Sequence, residues 1–92
     1  MFVLTDFSCQ SAADVSMVLV ESEKTNAYVA FQMGRDKGVC GTVRMGVVKA
    51  TPVARIDFAV HHGVVFEFLL SDGSKRYTYR SDEQLGVKDS AA

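Results

Sequence analysis

Asp57 and Glu67, with Arg55, Arg76 and Arg80 around them, form the most chemically suggestive grouping in the chain. Two carboxylates held side by side can share a proton, hold a divalent cation, or divide acid and base roles, because proximity raises the pKa of one of them. No nucleophile and no third acidic ligand accompanies the pair, so ion pairing on a sheet surface is the simpler reading and an enzyme is not expected. His61 and His62 are adjacent, and in a strand their rings would face opposite sides and could not share a metal. Cys9 and Cys40 are isolated, and no CxxC, HxxxH or HExxH spacing occurs, so neither a metal nor another cofactor is expected. Ser8, Ser11 and Ser16 have no glycine elbow around them, which leaves a hydrolase triad without support. A small metal-dependent enzyme on Asp57, Glu67 and His61 ranks third among the functional readings.

The basic residues suggest a different chemistry. Gly34-Arg35-Asp36-Lys37-Gly38 offers two cationic side chains and backbone donors to a phosphate, yet it matches neither a Walker loop nor a dinucleotide fingerprint and reads as a hairpin turn. Lys75 to Arg80 mixes cations with tyrosines, but strand alternation puts Tyr77 and Tyr79 on one face and Arg76 and Arg80 on the other. With a net charge of −1 and a pI near 6.0, the molecule as a whole does not steer to nucleic acid. A nucleic-acid-binding β domain, the second reading, would need a local rim built from Arg35, Lys37, Arg44 and Lys49.

Groups like these need a scaffold, and 92 residues supply one core and no room for a second. Hydrophobic residues make up 48% and charged residues 23%, which fits a folded single domain over 1–92 whose last residues, 87–92, fray. No apolar run approaches the roughly 20 residues of a spanning helix, so no membrane partner is expected. The first residues lack a secretory signal pattern, which makes cytoplasm the default compartment and buried free thiols the expected state of Cys9 and Cys40.

Short runs of Val, Ile, Phe, Tyr and Thr punctuated by turn residues predict strands near 2–6, 15–21, 27–33, 39–49, 53–60, 64–70 and 75–80. Ser11-Ala-Ala-Asp14 resembles a helix start, but the valines that follow favour strand, leaving one short helix near 8–14. Ser81-Asp-Glu-Gln84 fits a capping box that Gly86 would end. Residues 53–80 read as a three-stranded meander. A two-residue turn at Asp72-Gly73 would pair Phe68 with Tyr77, and a three-residue loop at His61-His62-Gly63, closed by a left-handed glycine, would pair Phe58 with Phe66. In that register Ile56, Phe58, Phe66, Phe68, Tyr77 and Tyr79 share the core face, while Asp57 lies opposite Glu67 on the other. The fold expected is mainly β, or β-dominated α+β, with an antiparallel sheet curled into a small barrel or sandwich.

The second face of the meander mixes ions with an apolar centre, as interfaces do. The leading expectation is therefore a non-catalytic protein-binding module of inhibitor, immunity or adaptor type. Arg55, Glu67, Arg76 and Arg80 would anchor the partner around Val65 and Leu69. The same face would also allow a homodimer.

Overall fold

A computed structural model describes residues 2–4 and 7–86 of the chain. Among these residues eight elements follow in order: β1 (Phe2–Leu4), β2 (Phe7–Cys9), α1 (Ala12–Lys24), α2 (Ala27–Asp36), β3 (Cys40–Thr42), β4 (Met45–Phe58), β5 (His61–Leu70) and β6 (Lys75–Ser81). The strands form one antiparallel sheet in the order β1-β4-β5-β6-β2-β3, so the architecture is β-dominated with two helices on the sheet. The sheet is open, with β1 and β3 at its edges. The predicted tail, 87–92, lies outside the described residues. Among those described, no helix is long and apolar enough to cross a membrane.

Residues 12–24 and 27–36 are helices, which corrects the strands expected at 15–21 and 27–33 and the helix expected at 8–14. Local capping and the burial pattern explain why. Ser11 accepts from the Asp14 amide at 3.1 Å and Asn26 from the Val29 amide at 3.0 Å, so each helix begins on a side chain that satisfies an orphan N–H. Val15, Val18 and Leu19 then fall at helical spacing on one buried face, and this outweighs the modest strand preference of valine. Helix α2 buries only small residues, Ala30 and Gly34, and a Cβ at Gly34 would lie 3.0 Å from the Cys40 Cβ. Gly34 therefore lets the helix backbone approach β3 closely, and the segment 34–38 is a helix end rather than a hairpin turn.

Strands β4, β5 and β6 form the expected meander, but in a different register. The β4–β5 turn is a two-residue loop at Ala59-Val60, with Phe58 opposite His61 and Ala59 at a φ of 51°. Asp57 accordingly faces His62, and Arg55 faces Val64. The second turn is the longer one. Leu70 N donates to Ser74 O at 2.8 Å, leaving residues 71–73 as the loop, and the pairs are Glu67 with Tyr77 and Phe68 with Arg76. Gly63 is a strand residue paired with Ile56 and Ser81, not the left-handed closure of a loop.

Two apolar clusters result, one on each side of the meander. On the helix side Val65 is fully buried in a cluster with Val15, Val18, Leu19, Ala30, Cys9 and Cys40, with Ile56, Phe58, Tyr77 and Tyr79 packed around it. The alternate residues Phe68 and Leu70 form a second cluster with Leu4 and Val47, bordered by Val43, Met45 and Phe66. Phe66 and Phe68, expected on the same core face as the tyrosines, thus lie on the other side, whereas Ile56 and Phe58 share the tyrosines' side as expected. The two segments Phe2–Leu4 and Phe7–Cys9 pair with Met45–Val47 and Cys40–Thr42 in a single continuous register, which carries the chain from one side of the meander to the other.

Candidate functional site

The expected ionic face does not assemble. Val65 is a core residue and cannot meet a partner, because α1 and α2 cover it. Val65, Glu67 and Leu69 alternate onto the helix side of β5, whereas Arg55, Arg76 and Arg80 pair with Val64 and Phe68 on the opposite side. Arg76 is half-buried, with Nε donating to Ser8 Oγ at 2.9 Å and Nη2 to the Ser8 carbonyl at 2.7 Å, and burial lowers its pKa. It ties β6 to β2. Glu67 accepts from the Tyr77 hydroxyl at 2.7 Å, which raises the tyrosine pKa, and pairs with Lys75 at 3.7 Å.

Asp57 and Glu67 are not partners. Asp57 sits opposite His62, while Glu67 sits opposite Thr51 and Tyr77, so about 16 Å of strand and opposite sheet faces separate them. The shared-proton and bridging-metal chemistries are excluded for this pair. Asp57 instead joins an exposed ionic chain, in which the Arg55 guanidinium donates to both Asp57 and Asp82 through two hydrogen bonds each, and His62 Nδ1 lies 3.1 Å from Asp57. Arg55 holds both carboxyls below the usual range, and they in turn raise its own pKa. The other histidine meets Glu23 at 2.9 Å and Ser22 Oγ at 3.3 Å. Both contacts use His61 Nε2, so the ring does not stand between base and hydroxyl as a relay requires. Among the described residues no group of three or more His, Cys, Asp or Glu side chains could hold a metal.

The basic residues of the nucleic-acid reading lie on separate elements: Arg35 on α2, Lys37 just beyond it, Arg44 between β3 and β4, and Lys49 on β4. All four are exposed.

A groove that sequence reasoning missed lies between the helices and β6. It has a volume of about 590 Å³, with Val15, Val18 and Leu19 of α1 along one wall and Tyr77, Tyr79 and Arg80 of β6 along the other. Phe7 and Phe31 stack at one side with ring centroids 4.5 Å apart. The rim is polar. Ser81, Glu83 and Gln84 form it, and the expected capping box holds it in shape: Ser81 N donates to Gln84 Oε1 at 2.8 Å and Gln84 N to Ser81 Oγ at 3.2 Å. Burial raises the pKa of Tyr79, so its ring lies in the wall as a neutral phenol. The available signals were the two helix caps and the Val15, Val18, Leu19 spacing, which together imply a helical layer and hence a seam against the sheet.

Cys9 also lines this groove and is joined to Cys40 by a disulfide, not held as the free thiol expected from the sequence. The two cysteines are direct partners across β2 and β3.

No family model, characterised protein or solved structure matches the chain.

Proposed function

We propose that the chain is a small, non-catalytic protein-binding module of the inhibitor, immunity or adaptor kind, which holds its partner by taking apolar side chains of that partner into the groove between α1, α2 and β6. The groove itself is the observation that carries this reading. Its volume falls in the range of specific binding sites, its walls are aliphatic and aromatic, and its rim is polar, which is the composition of an interface centre. Phe31 keeps 38% of its surface exposed beside the groove and supplies an anchor. Of the residues expected to meet a partner, Arg80 borders the groove by its place on β6 with its side chain on the opposite face of the sheet, while Arg55 is exposed and already bonded to two carboxylates.

The disulfide weighs against the cytoplasm as the working compartment, since such bonds persist where the environment is oxidising. A second copy is one candidate partner, and sedimentation at micromolar concentration checks that arrangement.

The test is capture of partner proteins by the immobilised, oxidised full chain, with and without nuclease. Phe31→Ala and the rim change Glu83→Lys should each weaken capture about tenfold while nuclease has no effect. Capture that survives both substitutions rejects the groove. Capture abolished by nuclease transfers the function to nucleic acid and to Arg35, Lys37, Arg44 and Lys49.

A further inference from the structure

The Cys9–Cys40 bond closes a loop that contains both helices, because α1 and α2 lie wholly between the two cysteines. Helix α1 is fixed to the sheet by Val15, Val18 and Leu19 in the cluster around Val65, and α2 is the less anchored of the two. Helix α2 packs on α1 and β3, and its route to the sheet runs through Gly34 at Cys40 and the Phe31 ring on Phe7. Strand β3 is an edge strand of three residues whose sheet neighbour is β2. The β4–β5–β6 meander has long ladders and, besides Val65 and its neighbours beneath α1, a second cluster of Leu4, Val47, Phe68 and Leu70 that includes neither cysteine. The α2–β3 unit can therefore loosen while α1 and the meander stay packed on each other.

We propose that the Cys9–Cys40 disulfide is a redox latch on the unit formed by α2 and β3, and that reduction by a dithiol releases this unit and opens the adjoining groove. Both sulfurs belong to buried residues, so the reductant gains access when β3 lifts outward, the side on which it has no sheet neighbour. A thiolate of the reductant attacks one sulfur and breaks the S–S bond, forming a mixed disulfide. The second thiol of the reductant then displaces the protein sulfur. The reductant leaves as its own disulfide, having given up two electrons, and two protons end on Cys9 and Cys40. With the bond gone, β3 is held to the sheet by its three-residue ladder with β2 and the adjoining 2.8 Å hydrogen bond from Gln10 N to Val39 O, and Phe31 no longer fixes its side of the groove.

Amide hydrogen exchange of the full chain, oxidised and after dithiothreitol, tests the latch. Residues 27–42 should exchange on the order of 100-fold faster after reduction, as expected for release of a loop of this size, while residues 53–81 change less than about threefold. The double variant Cys9→Ala/Cys40→Ala should show the same pattern without reductant. Equal acceleration throughout the chain would make the bond a staple of the whole fold and overturn the proposal. So would unchanged exchange at 27–42, or alkylation of both cysteines in the air-oxidised protein.

Discussion

Gly63 offers the sharpest test of the observed register. It lies in β5 between Ile56 and Ser81, and a methyl group at this position would drive into the Arg80 carbonyl oxygen while standing 2.7 Å from Ser81 Cα and 2.8 Å from Tyr79 Cε1. Two of these obstacles are backbone atoms, so no rotamer change relieves them. Reaching the 3.4 Å of ordinary contact at Ser81 Cα alone moves β6 away by about 0.7 Å, and clearing the nearer Arg80 oxygen requires more. That displacement endangers the hydrogen bond from Asp82 N to His62 O, now 2.8 Å long. Overpacking of this kind costs about 1–3 kcal/mol and a lost hydrogen bond about 1 more. Gly63→Ala should therefore lose roughly 2–4 kcal/mol, which lowers the Tm by roughly 10–25 °C in a domain of this size. Gly41→Ala is the control, since nothing lies within 4 Å of its added Cβ and its φ is not positive. Thermal unfolding followed by circular dichroism reads both. If Gly63→Ala melts within about 3 °C of the parent, β6 does not run where the register places it and the groove wall is misassigned.

Three further outcomes follow from the same contacts. Ala59 occupies the left-handed region at φ 51°, so Ala59→Gly should stabilise by about 1 kcal/mol, and an unchanged urea midpoint would count against the two-residue turn. Ser8→Ala removes the acceptor of the half-buried Arg76 Nε and should cost about 1–3 kcal/mol by denaturant titration, with wild-type stability indicating that Arg76 is hydrated instead. Asp57 and Asp82 have folded pKa values below the unfolded value near 3.9, so their contribution is present above that pH and disappears as the pH falls through it towards the folded values. The Tm should drop below about pH 4, and Arg55→Ala should flatten that drop; parallel profiles for the two proteins would mean that the ionic chain is solvated.

The meander was legible because its strands alternate and its two connections are short. Its register was not, for a reason visible in β5. Val65 is buried on one face and Phe68 and Leu70 on the other, so the hydrophobic pattern satisfies either pairing and only the turns could decide. The turns misled. His61-His62-Gly63 carries a glycine that is needed for close strand approach, whereas the real turn, Ala59-Val60, has no Gly, Asn or Asp to mark it. The helices were misread where intrinsic preference and packing diverge: valine at 15 and 18 suits a strand by propensity but lands on a helix face that the sheet covers. The ionic site fell with the register, since a shift in pairing moved Asp57 from Glu67 to His62.

The rung that joins residues 9 and 40 also makes the helical pair a cassette. The backbone departs from the sheet and returns to it at adjacent positions, so whatever is threaded between them meets the same two doorposts. Closing entropy grows only logarithmically with length, which means inserts of quite different size can be exchanged there with little change in the free energy of ring closure. The meander supplies a frame, and the helical layer laid over it is one uninterrupted stretch of sequence.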